Sequence, residues 1–419
     1  MTKRKIILGE YLKFEKGISV PRDRLSITNN IAYLHYGDIY KIYNHVVDIN
    51  KEIDNILKIS TDEKYKKTQL LKDGDIVYNL TSESVDDLGK AVYIRNPNNI
   101  PFVSGMETTI MRVTDKSILL PEYLNYILST YKFKCLLRQY VTGMKVYRVH
   151  PRDIGRIEIE VPDINEQKKI IDILNPFNDK IELNNQMNQT LEEIASLLYK
   201  RWFVDFEFPD DKGNPYKSSG GEMVDSELGM IPKEWEVKEL GEISEKIITG
   251  KTPSTKDSKN FGEGTPFITI PDMYRKVFTD KTVRHITNYG RKKIQNKVIP
   301  KNSVLVSCIA TPGLVSITSK ESITNQQINS IVCKKQDLYF IYETLLSLKE
   351  YIILLGSGGS TTLNLNKSDF SKISICYAEN RINKVFYELC NYIFNQIYEN
   401  QFEIIKLENI KEELLKELL

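Results

Sequence analysis

Cysteine and histidine are scarce in this chain, and no long apolar run occurs. The five cysteines (Cys135, Cys308, Cys333, Cys376, Cys390) are odd in number and form no C-x-x-C pair. That pattern argues for a reducing compartment, the cytoplasm, and against a disulfide framework or a zinc site. No stretch reaches the roughly 18 apolar residues that cross a bilayer, so no membrane association is expected. Residues 1–17 are basic but lack a long apolar segment and a small-residue cleavage site, so they do not read as a secretory signal. The four histidines (His35, His45, His150, His285) are scattered without ligand spacing or a partnered Ser or Cys motif. Each reads as a surface or satisfied core histidine.

Strong net charge is also missing: the formal balance over 419 residues is +2. A dedicated nucleic-acid protein is often far more basic, so the total points to no partner. The distribution says more. Arg275, Lys276, Lys281, Arg284, Arg291, Lys292, Lys293, Lys297 and Lys301 are opposed only by Asp280, while acidic residues gather at 205–211 and near the C-terminus. Basic lobes joined by acidic or neutral helices suit a protein that grips an anion at two places.

Catalytic motifs fail one by one. Gly250-Lys251-Thr252 resembles the end of a P-loop, but Glu245 stands where that motif needs its first glycine. Asn214-Pro215-Tyr216 recurs in amino-methyltransferases in a related form, yet here it lies in a linker-like stretch with no Gly-rich cofactor turn. Pro162-Asp163 and Glu166-Gln167-Lys168 imitate a metal nuclease too closely spaced to work, and they open a helix, where acidic residues are ordinary. No active site, metal site or small-molecule substrate is expected.

What is present is periodic. Across 165–202, Ile170, Leu174, Phe177, Ile181, Asn184, Asn188, Leu191, Ala195 and Leu198 alternate steps of four and three, the heptad signature of a helix packed along a narrow seam. The two seam asparagines cost stability and fix register or partner. Pro176 fits the first turn of a helix better than its interior, so a short helix ending near Leu174 and a long one starting near Pro176 are expected. From Pro176 to Trp202 the rise is roughly 40 Å at about 1.5 Å per residue.

Before this helix, short strand-like runs (75–79, 91–94, 108–113) are bounded by turn formers, and one helical run covers 121–140, stopping at Gly143. Strands with one main helix make an α+β domain. After the helix, 204–234 is rich in Gly, Pro, Ser and Asp and reads as an extended linker. Then the text repeats. Leu240-Gly241-Glu242 answers Leu8-Gly9-Glu10, and 298–305 answers 70–77. Likewise 330–332 answers 109–111, 337–355 answers 121–140, and 369–375 answers 153–159. Gly358-Gly359 sits where Thr142-Gly143 did.

The second copy also ends in a heptad helix, with Phe386, Cys390, Ile393, Ile397, Asn400, Ile404, Leu407, Lys411 and Leu414 on its seam. Counted from the Asp153/Asp369 match, Asn400 falls on Asn184. The expected organisation is therefore α+β domain 1–162, helix 163–203, linker 204–234, α+β domain 235–378 and helix 379–419. The two helices are each other's obvious antiparallel partners. Anion-binding candidates lie in both domains: Arg22, Arg24, Lys66, Lys67, Lys145, Tyr147 and Arg148 in the first, and Lys251, Thr252, Ser254, Arg275, Arg284 and Lys292 in the second. Lys and Arg give salt-sensitive phosphate contacts, and Arg, amide and hydroxyl groups read base edges.

The chain resembles the specificity subunit of type I restriction-modification enzymes over essentially its whole length. The resemblance is carried by Asn165-Glu166-Gln167 through Ile181-Glu182-Leu183-Asn184-Asn185 and by Trp202-Phe203-Val204-Asp205-Phe206. It continues in the Gly213–Gly221 run, in Leu228-Gly229-Met230-Ile231-Pro232-Lys233-Glu234-Trp235 and in Leu240-Gly241-Glu242. It implies two target-recognition domains, each reading half of a split double-stranded DNA target, with the helices as spacer. It also implies docking of two methyltransferase subunits and of restriction subunits. S-adenosylmethionine would belong to the former, ATP and magnesium to the latter, and no cofactor to this chain. The second copy departs from the pattern, with Arg381-Ile382-Asn383 in place of Asn165-Glu166-Gln167 and Glu379 only nearby. A second reading is a scaffold that sequesters a partner through its helices without reading DNA.

Overall fold

The computed structural model describes residues 3–274, 276–357, 364–378 and 380–419. Gly358-Gly359, Glu379 and the candidate Arg275 lie outside the described residues. The chain divides into two compact units, Met1–Ile181 with Lys406–Leu419, and Glu182–Ile405.

In the first unit a five-stranded sheet runs in the order Leu12–Lys16, Thr108–Val113, Ile76–Asn79, Ala91–Arg95, Val46–Asp48. Only the last pair is parallel, with Val47 opposite Ile94. The central strand Ile76-Val77-Tyr78-Asn79 is wholly buried, so its two faces supply two cores and its text is continuous rather than alternating. Tyr78 and Ile76 face a cluster with Tyr123, Leu124, Phe133 and Leu137, while Val77 faces one with Leu34, Ile39 and Phe102. Strand Arg4–Ile7 pairs antiparallel with Glu158–Val161, which leads directly into the central helix.

The second unit repeats this plan. Its five-stranded sheet runs Ser244–Thr249, Ile328–Cys333, Val304–Ser307, Val315–Thr318, Phe278–Thr279, again with one parallel pair at the far edge. Glu236–Glu239 pairs with Ser374–Tyr377 as the counterpart of the first unit's terminal pair. Both expected helical runs break in two: Pro121–Ser129 and Tyr131–Arg138, then Leu338–Ser347 and Lys349–Gly356. In the first copy Thr130 is extended and its hydroxyl accepts the Phe133 N–H, so one helix ends where the next is capped.

The central helix is unbroken from Ile164 to Tyr199, with Pro176 inside it, so the expected break near Leu174 does not occur. Pro176 and Asp172 both lie on the exposed face, where water can serve the carbonyl that proline leaves unpaired. Asp163 opens the helix by accepting the Asn165 and Glu166 N–H groups. Gln167, fully buried, then ties it to its domain: it donates to the Ile118 and Pro162 carbonyls and accepts the Leu120 N–H. At the matching position of the second helix, Asn380–Leu418, Asn383 is equally buried and donates to Asp337 at 2.9 Å. The divergent text thus keeps a buried amide anchor, with a shorter side chain met by a carboxylate.

The two helices pair antiparallel within each unit. In the first, Ile170, Ile171 and Leu174 share a core with Leu414, Leu415 and Leu418, and Lys411 donates to Asn178 at 2.9 Å. In the second, Ala195, Tyr199, Trp202 and Phe203 pack with Phe386, Cys390, Phe394 and Ile397. Asn400 donates to Asn188 at 2.9 Å, and Asn184 to Glu403 at 2.7 Å. Ile181, Asn184 and Asn400 are buried; Phe177, Leu191, Leu198, Ile404, Leu407 and Leu414 are half-buried. Ile393 is half-buried as well, and Phe394 rather than Ile393 is the fully buried neighbour, because its ring stacks on Tyr339.

Residues 204–234 are packed rather than extended. Phe208 stacks between Tyr216 and Trp235, Phe206 meets Trp235 edge-on, and Met223–Val224 pairs with Ile231–Pro232. The aromatic side chains outweigh the Gly, Pro and Asp content that suggested a free linker.

Two consequences are measurable. Asn400→Leu or Asn188→Leu alone strands a buried amide and should cost about 1–3 kcal/mol in urea denaturation, whereas the double replacement should recover most of the loss. Glu343, 2% exposed with Oε2 unbonded, has its carboxyl pushed up to about 8 by burial and then by Glu192. Folding therefore favours its protonated form, and stability drains away as pH rises from the ordinary carboxylate range through that value. Glu343→Gln should raise Tm more at pH 8 than at pH 5, by about 2–4 °C for each kcal/mol recovered.

Candidate DNA interface

Each five-stranded sheet ends its first strand on a glycine jammed against a neighbouring loop. A Cβ on Gly17 would lie 1.9 Å from the Gly105 carbonyl oxygen, and one on Gly250 would lie 2.1 Å from that of Asn325. The glycine of the P-loop-like Gly250-Lys251-Thr252 is thus explained by close backbone approach. In both domains this contact gathers the same set of loops at one edge.

In the first domain the Ile18 N–H donates to the Ser104 carbonyl, and the Ser19 hydroxyl lies 3.3 Å from the Met106 sulfur. Leu80 donates to the Glu107 carbonyl at 2.8 Å, and Thr81-Ser82 pairs with Tyr147-Arg148. Gln69 reaches back to the Lys16 carbonyl at 2.7 Å, which brings Lys66 and Lys67 beside the strand end. Arg22 and Arg24 occupy one short helical turn in the same loop system. Arg24 is paired with Glu63 at 3.2 Å, and Arg148 lies 3.9 Å from Glu107. Among the described residues Arg22, Lys66, Lys67 and Lys145 form no ion pair, and all four are exposed. Tyr147 is half-buried.

In the second domain the Lys251 N–H donates to the Thr324 carbonyl and the Thr252 hydroxyl to Gln326 at 2.7 Å. Asn260 holds the Ser254 carbonyl at 2.9 Å. Ile309 bridges Asn364, the counterpart of the Thr81–Arg148 pairing. The basic segment divides in two. Arg291 is bound to Glu321 at 2.6 Å, Lys293 to Asp257 at 2.8 Å, and Lys297 donates to the Thr249 carbonyl, so these three brace the loops. Lys251 and Lys292 are exposed and form no ion pair among the described residues. Arg284 lies over Phe261 at 4.2 Å and over Phe267 at 5.6 Å, which fixes its planar guanidinium at the surface.

The sequence reading missed the amide run Asn325-Gln326-Gln327, whose Gln326 is exposed beside Thr252. Side-chain amides pair bidentately with adenine edges, and three in a row next to a glycine-tethered loop was the available signal. Histidines serve the scaffold. His35 and His150 accept the N–H groups that open short helices, and burial holds the His35 imidazole below its ordinary pKa. His45 is buried against Tyr126 and Asn125, and burial pushes its imidazole down to about 3, so it stays neutral. Among the described residues no group of three or more His, Cys, Asp or Glu could hold a metal ion. No described helix is long and apolar enough to cross a membrane.

Duplicated α+β domains, each followed by a long helix and each gathering basic loops at one sheet edge, match known proteins. The family model for the type I restriction modification DNA specificity domain matches residues 8–193 and again 232–412. The type I restriction enzyme HindI specificity subunit of Haemophilus influenzae is 33% identical, over 93% of this chain and 94% of that protein. The MjaIX specificity subunit of Methanocaldococcus jannaschii is 26% identical, over 73% and 70%. The crystal structure of a type I restriction-modification S subunit from M. genitalium shares the fold, with a TM-score of 0.55 at 14% identity, covering 100% of this chain and 96% of that one. The chain belongs to the type I restriction-modification DNA specificity family.

Proposed function

We propose that this chain is the DNA-reading subunit of a type I restriction-modification complex, each domain gripping one half of a split duplex target. The observation that carries the proposal is the duplication of the glycine-tethered loop cluster, with exposed Lys and Arg around it, in a chain of this family. Lys66, Lys67, Lys145, Arg148, Lys251 and Lys292 supply phosphate contacts, while Arg284, Thr252 and Gln326 face base edges. The paired helices set the gap between half-sites. The chain is itself non-catalytic and works in the cytoplasm. S-adenosylmethionine belongs to methyltransferase subunits, and ATP and magnesium to restriction subunits.

Docking of the methyltransferase subunits falls to a second apolar stripe on the helices. Leu183, Met187, Ile194 and Leu197 are exposed at steps of four, seven and three, as are Val385, Leu389 and Tyr392 at four and three. Each stripe lies one residue before the seam, about 100° around the helix, and leaves apolar side chains in water that a partner helix would cover.

The complex reconstituted with its methyltransferase subunits should methylate one bipartite motif. DNA methylated without dependence on this chain would sink the proposal and favour the scaffold reading. Combined Lys145→Ala and Arg148→Ala should weaken binding and flatten the salt dependence by about two phosphate contacts in log–log slope. Leu197→Asp with Leu389→Asp should abolish co-elution with the methyltransferase subunits while leaving the chain's own Tm unchanged. Co-elution at wild-type levels would place docking elsewhere.

A further inference from the structure

We propose that Met144 is a wedge, inserted between two base pairs of the DNA that the first domain grips; this rests on the DNA-reading function above. Met144 is 93% exposed, the most exposed large apolar side chain among the described residues. Its loop is firmly closed. Thr142 and Arg148 exchange two backbone hydrogen bonds at 2.9 and 2.8 Å, and Tyr147-Arg148 is held in register against Ser82-Thr81. Gly143 has φ +102°, and a Cβ there would lie 2.1 Å from the Val146 carbonyl oxygen, so the turn admits only glycine.

An apolar side chain carried into water on a closed turn has no packing reason of its own. The neighbours state which surface would cover it. Lys145 follows it directly, Arg148 closes the loop, and both are exposed. Glu107, 3.9 Å from Arg148, brings Met106, itself 43% exposed, to the same surface. An apolar tip between cations fits a wedge pressed into a base step with Lys and Arg on the flanking phosphates. The unbranched, polarizable thioether suits contact with a base face better than a branched aliphatic chain would. Unstacking one step also lowers the cost of extruding a nearby base for methylation.

The test uses the complex of this chain with its methyltransferase subunits, on duplexes carrying the motif it methylates. 2-Aminopurine is placed in turn at and beside each half-site position other than the methylated base. The wild-type complex should raise fluorescence at one step. Met144→Ala should lose that rise with Tm and the salt slope of binding unchanged, and Met144→Leu should keep it. No rise at any step in a complex that still methylates its motif overturns the wedge and leaves DNA reading standing, as does an undiminished rise with Met144→Ala. Absence of any sequence-dependent methylation would overturn both.

Discussion

Each long helix begins by burying an uncharged amide in the domain before it, and the way the helix leaves that domain depends on that anchor. Gln167 satisfies three backbone groups at the junction of strand, loop and helix. A buried amide so placed is stabilising only when every partner is in position, because each unmet group costs about 1–3 kcal/mol. It therefore acts as a geometric test that the helix passes in one orientation. Asn383 anchors the second helix more sparely: it donates to Asp337, which also accepts the Tyr377 hydroxyl, while its own Oδ1 is buried without a partner. Burial raises the Asp337 carboxyl above its ordinary range, and the two hydrogen bonds partly oppose that shift.

The seam continues the same logic at lower density. Asn188 meets Asn400, and Asn184 meets Glu403. By the repeat's own alignment, the position matching Asn188 in the second helix is Ile404, so the two copies differ at this point. Asn184 turns instead to the neighbouring carboxylate. A polar pair in an apolar seam costs stability and rejects slipped registers. Two such pairs along one seam hold the helices to a single register at that cost.

Duplication explains the loop clusters. One sheet order, one close glycine approach and one bridge to the segment before the last short helix occur in both domains, while the side chains on those loops differ. The first domain presents Met106, Met144 and Arg148; the second presents Thr252, Gln326 and Arg284. A scaffold kept constant by burial can change what its exposed loops read without refolding.

Much was legible in sequence because the signals were local and periodic. The heptad steps marked the helices and their buried face, the repeat gave two copies of one α+β plan, and the family text gave the class. Other features depend on contacts distant in sequence. Pro176 stays helical because its face is the wet one, and the 204–234 stretch packs because Trp235 lies beside Phe208. The helical runs break where Thr130 turns extended and Leu348 leaves helical geometry. Arg291, Lys293 and Lys297 look like a DNA-binding run in the sequence, yet their partners Glu321, Asp257 and the Thr249 carbonyl make them braces. Composition and period set which elements form and which faces are apolar. Only the tertiary structure decided which charges are spent internally and which remain exposed without an ion-pair partner, because that choice depends on neighbours that the linear order keeps apart.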